Sequence, residues 1–308
     1  MNILLLGANG QLGRSFLEHG GLATRGKLFT ATRDGHRFDG ASADTADLSQ
    51  PDTLLPLLDR RQPRLIVNAA AYTAVDRAEN EEALATRING EAVGVLSTWA
   101  AANDALVIHY STDYVFGGHA AAPYPIDAPT APLGAYGRSK LAGELALRDS
   151  GAQHFLLRTA WVYAPYGHNF LRTMLRLAAD REEIRIVADQ HGSPTDTMLI
   201  VQATLAALDT WLEADVMQRS QMHGTHHLVA SGSTTWHGFA EAIMQEAKAH
   251  GLLARVPTLI PITTAEFPTP ARRPAWSVLE NTGFQRQFSY PLPDWRQGLH
   301  HIIRALVP

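Results

Sequence analysis

The amino-acid sequence predicts an α/β fold: a doubly wound parallel sheet with a smaller C-terminal α/β lobe. Two patterns support this prediction. A glycine-rich turn follows the first apolar segment, and four further apolar segments alternate with helical patterns before about residue 165. Strands buried on both faces are nearly continuous apolar runs, and strands that alternate with helices are typical of parallel sheets. The 308 residues, 45% hydrophobic and 18% charged, allow one large or two modest domains.

The first strand, "NILLL", ends at the turn "GANGQLG". Gly7 and Gly10 lack side chains, so the backbone can approach a pyrophosphate at the N-terminus of the next helix, and Gly13 allows close packing of helix and strand. The spacing is G-x-x-G-x-x-G, not the commoner G-x-G-x-x-G. A tight turn without a ligand is the alternative. Because the turn follows a strand and opens a helix, we predict a Rossmann-type dinucleotide site.

The second strand, in "KLFTATRDG", bears on the choice of cofactor. An acidic residue near its end would hold the ribose hydroxyls of NAD. Thr32 and Arg33 stand there instead, and arginine forms charge-assisted hydrogen bonds with phosphate groups such as the 2′-phosphate of NADP. We therefore favour NADPH and leave NADH open, and Arg33 could also be an ordinary solvated charge.

The next strands end in residues suited to a ligand site. "RLIVNAAAYTAVD" contains a strand from Leu65 to Asn68 followed by small residues, and a helix containing Asn89 follows. "ALVIHYSTDYVFGG" ends in Thr112 and Asp113, and "HFLLRTAWVY" continues past Trp161. Ligands of doubly wound sheets bind beyond the carboxyl ends of the strands, so we expect these residues to lie around one site.

After about residue 165 the pattern changes. "HNFLRTMLRLAADREE", "ATLAALDTWLE" and "FAEAIMQEAKAHG" predict helices, "EIRIV" predicts a short strand, and "EFPTPARRPAWS" predicts irregular structure. We therefore predict an NAD(P)-binding domain over 1–165, to which segments of about 190–230 return. The remainder of 166–308 is predicted to be mainly a substrate-binding lobe.

The stretch "AYGRSKLAGE" places Tyr136 four residues before Lys140, on one face of a helix. Such pairs also arise by chance on ordinary surface helices. Here the helix follows the strand that ends at Thr112. A lysine ammonium favours a phenolate, whose ordinary pKa is near ~10. With the Thr112 hydroxyl orienting a carbonyl group, the three residues suit hydride transfer to a ketone with a proton from Tyr136.

The composition of the chain argues against several kinds of site and partner. The absence of cysteine excludes disulfides, thiolate nucleophiles and Cys-zinc sites. The net charge of −4, with no Lys/Arg run, gives no reason to expect a nucleic-acid or membrane partner. The N-terminal apolar run is too short for a signal peptide, so we expect a cytoplasmic protein. The 14 histidines include the adjacent pairs at 226–227 and 300–301 but no H-E-x-x-H, so no metal site is expected.

These motifs together resemble the extended short-chain dehydrogenase/reductase family, which carries the G-x-x-G-x-x-G turn, a Ser or Thr, and a Y-x-x-x-K helix. Seven segments are similar, in the same order, to sugar-nucleotide ketoreductases of that family: "NAAAYTAVDRAE", "VIHYSTDYVF", "PLGAYGRSKLAGE", "RTAWVYA", "HLVASGSTTW", "PTPARRP" and "LPDW". The resemblance implies NAD(P)H-dependent reduction of the 4-keto group of dTDP-4-dehydro-L-rhamnose to dTDP-L-rhamnose. It implies a small-molecule nucleotide-sugar substrate, and we expect a monomer or weak homodimer.

The resemblance also implies roles for single residues. Thr112, Tyr136 and Lys140 form the catalytic set, with Tyr136 as proton donor. The candidate substrate residues are Thr112, Asp113, Trp161, Arg272 and Arg273. The candidate cofactor residues, including those inferred above from the glycine turn and second strand, are Gly7, Gly10, Gln11, Leu12, Gly13, Thr32, Arg33, Asp47, Leu48, Ala71, Thr73, Tyr110, Tyr136 and Lys140.

Several of these roles have structural alternatives. Asp47 would bond the adenine amine and Leu48 would pack beside its ring, but they could equally be a helix-capping residue and a core leucine. Arg272 and Arg273 could clamp a diphosphate or form a solvated turn, and Trp161 could fill the core. Some members dimerise around magnesium held by glutamates, one just after the glycine turn. Here Arg14 and Ser15 occupy that stretch, so that metal is not expected.

Two other functions stay open from the sequence. The chain could be another sugar-nucleotide epimerase or dehydratase of the superfamily, which would keep its cofactor bound. It could also be a non-catalytic NADP-binding regulatory subunit that keeps the fold. The presence of Thr112, Tyr136 and Lys140 together argues against the second, because a binding protein needs no proton donor.

Overall fold

The computed structural model describes residues 1–307. Its strands are β1 (Asn2–Leu6), β2 (Lys27–Thr32), β3 (Asp44–Thr45), β4 (Leu65–Asn68), β5 (Leu106–Thr112), β6 (His154–Thr159), β7 (Val162–Tyr163), β8 (Glu183–Val187), β9 (His191–Gly192), β10 (Thr195–Asp196), β11 (Gly224–His227), β12 (Thr234–Thr235) and β13 (Thr258–Ile262). Its α-helices are α1 (Gln11–His19), α2 (Leu54–Arg61), α3 (Val75–Ala78), α4 (Glu82–Thr86), α5 (Ala92–Ala102), α6 (Ala135–Asp149), α7 (Phe170–Asp180), α8 (Thr197–Glu213), α9 (Val216–Met222), α10 (Trp236–Ala249), α11 (Thr282–Phe288) and α12 (Trp295–Leu306). Short 3₁₀ segments cover Pro51–Thr53, Asp113–Val115 and Thr264–Glu266, and a π-helical segment covers Arg87–Glu91.

The main sheet has seven strands in the order β11-β6-β5-β4-β1-β2-β3. Every neighbouring pair in it is parallel. The prediction of a doubly wound parallel sheet is therefore confirmed. The strand order reverses between β1 and β4, which is where ligands of such sheets bind, beyond the carboxyl ends of the strands.

Alternate side chains of β1 enter two separate cores. Ile3 and Leu5 belong to the larger core, which includes residues of α1 and α8, whereas Leu4 and Leu6 belong to a core built with α2 and α5. All four side chains are fully buried. Successive residues of a strand point to opposite faces, so a sheet covered by helices on both faces requires an unbroken apolar run such as "NILLL".

The segment "HFLLRTAWVY" was predicted as one strand, and the structure divides it. β6 ends at Thr159, Trp161 has a positive φ of 47°, and β7 then pairs with β10 outside the main sheet. A left-handed φ is rare for a bulky residue and cannot continue a strand. The turn at Trp161 therefore directs the chain out of the sheet just after its carboxyl edge.

Residues after β7 contribute both to the main sheet and to smaller sheets. β11, which lies in the stretch predicted to return, pairs with β6 at the edge of the main sheet. β8 pairs with β13 and β9 with β12 in two-stranded sheets. The division at residue 165 stays a prediction. Among the helices of residues 1–307, none combines the length and the apolar character needed to cross a membrane.

Candidate active site

The glycine turn after β1 is too closely packed for side chains. Gly7 has a φ of 75°, and a Cβ there would lie 2.6 Å from the backbone nitrogen of Ala70. A Cβ on Gly13 would lie 2.1 Å from the carbonyl oxygen of Gly7. α1 begins with Gly10 as its N-cap, which offers no side-chain acceptor to the first N–H groups of the helix. Those N–H groups suit a pyrophosphate, so the turn fits a dinucleotide cofactor.

The residues around this turn have distinct local roles. The Gln11 amide oxygen accepts a hydrogen bond of 2.7 Å from Asn169, and Leu12 packs against the larger core. Thr32 is buried at the end of β2 and donates a 3.1 Å hydrogen bond to Asp34. Arg33 beside it is exposed. Of the two residues predicted to choose the cofactor, Arg33 is therefore the one accessible to a phosphate group.

Asp47 and Leu48 each have a structural role: Asp47 accepts hydrogen bonds within a turn and caps no helix of residues 1–307, whereas Leu48 is a core residue. The Asp47 carboxylate accepts hydrogen bonds from the backbone N–H and the hydroxyl of Ser49, at 3.0 and 2.8 Å. Leu48 is 6% exposed and belongs to the second core. Ala71 and Thr73 are exposed just beyond the carboxyl end of β4. Contacts of these four residues with a cofactor stay predictions.

Thr112 and Tyr136 face each other at the carboxyl end of β5. The Thr112 hydroxyl donates a 3.0 Å hydrogen bond to Asp113 and accepts one of 3.2 Å from the backbone N–H of Tyr114. Tyr136 is the second residue of α6 and is half-buried. Burial raises the pKa of Tyr136 to about 12, and a hydrogen bond with Thr112 acts in the opposite direction. The phenol is thus held in its proton-bearing form.

Lys140 is 1% exposed, and its hydrogen bonds do not go to Tyr136. Its Nζ donates to the carbonyl oxygen of Tyr110 at 2.6 Å and lies 3.3 Å from Nε2 of His109. Burial lowers the pKa of Lys140 from 10.5 to about 8, against the effect of the Glu144 carboxylate. The Tyr110 hydroxyl instead meets Thr204 at 2.9 Å in the core, so Tyr110 reaches the site only through its backbone.

Sequence reasoning missed His109. Its Nδ1 lies 3.1 Å from the side-chain amide nitrogen of Asn68, and its Nε2 faces Lys140. Burial, and next the charge of Lys140, keep the pKa of His109 well below 6.5, so the imidazole is neutral. Residues two apart on a strand share a face, so His109 lies on the same face of β5 as Ser111. The two-residue spacing of His109 and Ser111 along β5 was the sequence pattern that could have indicated His109 as a second polar residue under α6.

Two further buried groups fix α6 and the neighbouring loop. The Asn89 amide oxygen accepts from the N–H of Tyr72 at 2.9 Å, and its nitrogen donates to Ser139 at 2.9 Å. Glu144 accepts hydrogen bonds from Arg158 at 2.7 and 2.9 Å. The sequence placed Asn89 on a helix near the site but gave neither Glu144 nor Arg158 a role.

The candidate substrate residues lie at the same end of the sheet, but they differ in exposure and in the partners they contact. Trp161 stacks on Trp236 with ring centroids 3.5 Å apart. Arg272 is exposed and lines a narrow crevice together with Tyr136. Arg273 is engaged by Asp76 through hydrogen bonds of 2.8 and 3.1 Å. Of the two arginines predicted to clamp a diphosphate, the exposed Arg272 has the freer guanidinium.

Asp113 is 2% exposed, and within residues 1–307 its Oδ2 has no hydrogen-bond partner. Burial raises its pKa from 3.8 to about 6. Because the folded state then holds this proton more tightly than the unfolded chain, the stability it contributes is present below pH 3.8 and is lost as pH rises through about 6. An unpaired acceptor of this kind suits a ligand hydroxyl group.

We therefore expect Asp113→Asn to change the pH dependence of stability. Between about pH 4 and pH 7 the free energy of unfolding of the unchanged protein should fall relative to that of the variant, by on the order of 2–3 kcal/mol. Urea denaturation of both proteins across this range measures the difference. Parallel profiles would contradict the raised pKa.

Comparison with known proteins places the chain in a family. A protein-family model described as "RmlD substrate binding domain" matches residues 1–307. The dTDP-4-dehydrorhamnose reductase of Burkholderia thailandensis is 44% identical over 309 residues, which cover 100% of this chain and 99% of the relative. The chain belongs to the dTDP-4-dehydrorhamnose reductase family.

Solved structures of this reductase family agree with the fold over its whole length. A dTDP-4-dehydrorhamnose reductase from Clostridium acetobutylicum superimposes with a TM-score of 0.86 at 31% identity, covering 99% of each chain. The dTDP-4-dehydrorhamnose reductase from Bacillus anthracis, solved in complex with NADP, gives a TM-score of 0.84 at 30% identity with the same coverage. The similarity to sugar-nucleotide ketoreductases, expected from the motifs, is confirmed by these relatives.

Proposed function

We propose that this chain reduces the 4-keto group of dTDP-4-dehydro-L-rhamnose, giving dTDP-L-rhamnose, with NADPH as the hydride donor. The observation that carries the proposal is full-length identity of 44% with a dTDP-4-dehydrorhamnose reductase. The site supports it, because Thr112 ends β5 and the next helix, α6, carries Tyr136 and the buried Lys140, close to the switch point of the sheet.

The nicotinamide of a bound cofactor would supply the hydride that the carbonyl carbon needs. The Tyr136 hydroxyl donates its proton to the carbonyl oxygen, so the ketone becomes a secondary alcohol and the tyrosine a phenolate. The Thr112 hydroxyl, which donates to Asp113 in this structure, would turn to donate its hydrogen bond to the same oxygen as negative charge develops there. The positive charge of Lys140 favours the phenolate until Tyr136 regains a proton from solvent.

The cofactor would be held by the chain's own backbone and a few side chains. The N–H groups at the start of α1 would bind its pyrophosphate, and the absence of side chains at Gly7 and Gly13 allows the turn its close packing. The exposed Arg33 would bind a 2′-phosphate. Asp47 and Leu48 would lie near the adenine, and Ala71 and Thr73 near the rest of the molecule.

The nucleotide sugar would lie between this site and the part of the chain after residue 165, which we propose to be mainly the substrate-binding lobe. The partnerless Oδ2 of Asp113 would accept a hydrogen bond from a sugar hydroxyl. Trp161, supported by its stacking on Trp236, would pack against the sugar ring. Arg272 would bind the diphosphate, and Arg273 would contribute if it exchanged Asp76 for phosphate oxygens.

The test is cofactor oxidation. The keto sugar is generated from dTDP-glucose with a dehydratase and an epimerase, this protein is added, and NADPH and NADH absorbance are followed separately. We expect loss of NADPH absorbance that depends on the keto sugar. A folded protein that binds the cofactor but shows no such loss would contradict the reductase proposal.

The same assay tests the role of Arg33. Arg33→Ala should lower kcat/KM for NADPH by about 10- to 100-fold, since charge-assisted hydrogen bonds contribute roughly 1.5–3 kcal/mol. It should leave kcat/KM for NADH unchanged, because NADH has no 2′-phosphate. An equal decrease with both cofactors would show that Arg33 acts on the fold of the loop and not on the phosphate.

A further inference from the structure

Two helices of the C-terminal half bring three metal-ligating side chains together. Glu246 lies near the end of α10, His250 follows the last residue of that helix, and His300 lies on the neighbouring α12. The Glu246 Oε2 atom is 3.0 Å from Nδ1 of His300 and 3.5 Å from Nε2 of His250. The three donor atoms all lie within 4.8 Å of one another.

The three side chains are partly accessible to solvent, and the two helices α10 and α12 are packed against each other. Their exposed fractions are 34% for Glu246, 29% for His250 and 41% for His300. Glu246 and His250 are held at a spacing of four residues along one helix end, and the two imidazole rings lie 5.2 Å apart. Packing of α10 against α12 therefore fixes the third donor relative to the other two.

The donor set matches one class of metal ion. Zn²⁺ and the neighbouring first-row divalent ions are bound by imidazole nitrogen and carboxylate oxygen, whereas Mg²⁺ and Ca²⁺ prefer oxygen alone. Tetrahedral geometry with bonds of about 2.0–2.1 Å places neighbouring donors roughly 3.3–3.4 Å apart. The two measured separations from Glu246, 3.0 and 3.5 Å, bracket that distance. The donor atoms of the two histidines lie within 4.8 Å of each other.

We propose that Glu246, His250 and His300 bind a divalent transition-metal ion of the zinc class, with water in the remaining position. Sequence analysis predicted no metal site because it treated His300 only as one member of the adjacent pair His300 and His301. It overlooked the spacing Glu246-x-x-x-His250, which supplies two ligands from one helix, and it could not show that α12 supplies the third. This proposal is independent of the proposed function.

The metal would act on stability. It would join the end of α10 to α12, while the first residue of α10, Trp236, stacks on Trp161 at the other end of the helix. A ligand that binds only the folded state raises the midpoint of unfolding. We therefore expect Zn²⁺ to raise Tm while turnover proceeds without it.

The experiment titrates metal-free, full-length protein with Zn²⁺ by calorimetry and with Co²⁺ by visible absorption, using Mg²⁺ as the reference ion. We expect one Zn²⁺ per chain, a rise in Tm, and no heat with Mg²⁺. His300→Ala and Glu246→Gln should weaken Zn²⁺ binding by more than about 100-fold, because loss of a ligand exceeds the 10- to 100-fold effect of losing an outer partner.

Two matched variants serve as controls. His301→Ala removes the adjacent histidine of α12, and His237→Ala removes a histidine that faces Glu241 on α10 without a third donor. Both should bind Zn²⁺ like the unchanged protein. The proposal is overturned if Zn²⁺ does not bind, if its affinity survives His300→Ala and Glu246→Gln, or if the control variants lose affinity to the same extent.

Discussion

Tyr136→Phe should lower kcat by on the order of 10²- to 10⁴-fold and leave NADPH binding unchanged. The substitution removes one hydroxyl, which in the proposed mechanism is the only donor of the proton that the carbonyl oxygen needs, and general acid catalysis contributes about that factor. Burial and the hydrogen bond with Thr112 hold this hydroxyl at the end of β5. Steady-state kinetics with the keto sugar and fluorescence titration with NADPH measure the two quantities.

Tyr290→Phe is the matched control, because Tyr290 packs against the larger core and has no role in the proposed mechanism, so loss of its hydroxyl should leave kcat unchanged. The comparison also separates catalysis from structure. If Tyr136→Phe weakened NADPH binding as much as turnover, its hydroxyl would be a structural group of the cofactor site. If turnover survived, another group would be the proton donor, and the proposed mechanism would be wrong.

The parts of the fold that the sequence predicted are those encoded by local patterns. The strand Leu65–Asn68 has its predicted bounds, and β1 fills both cores because its residues alternate between two covered faces. α12 was missed, although its buried residues recur at helical spacing. The break at Trp161 was also missed, since an apolar run gives no signal for a positive φ.

Contacts between residues far apart in the sequence explain most of the remaining differences between the predicted site and the observed one. Arg273 was expected to face a diphosphate, but its partner Asp76 lies 197 residues away, and no local spacing indicates that pair. Lys140 was expected to meet Tyr136 because the two share a helix face. Its ammonium instead meets a β5 carbonyl and His109, because burial favours the nearest strong acceptor over a phenol.

Arg158 and Glu144 form a buried ion pair whose disruption should strongly destabilise the protein. Arg158 is 2% exposed and Glu144 is fully buried, with two hydrogen bonds between them. Glu144 also accepts a 2.6 Å hydrogen bond from Ser111, the residue before Thr112. Arg158→Met should destabilise the protein by about 3–5 kcal/mol, because it removes both hydrogen bonds from Arg158 and leaves the buried carboxylate with only the more distant guanidinium of Arg148, 3.8 Å away. Urea denaturation at neutral pH measures the loss.

Arg138→Met is the matched control, because Arg138 forms an ion pair on α6, the helix that carries Glu144. Arg138 pairs with Glu82 at 2.7 Å, but the side chains are 46% and 44% exposed, so its loss should cost less than about 1 kcal/mol. The double variant Glu144→Gln/Arg158→Met should recover more than half of the stability. Its neutral amide still accepts from Ser111 and no longer needs a positive partner.

The buried pair of Arg158 and Glu144 links stability to catalysis. Glu144 lies one turn beyond Lys140 on α6, and Ser111 directly precedes Thr112, so this carboxylate fixes the helix and the strand that carry the proposed catalytic groups. Arg158→Met should therefore lower kcat even at temperatures where the variant is fully folded, and the double variant should restore part of it. If the folded single variant kept full kcat, the pair would stabilise the fold without positioning Thr112 and Lys140.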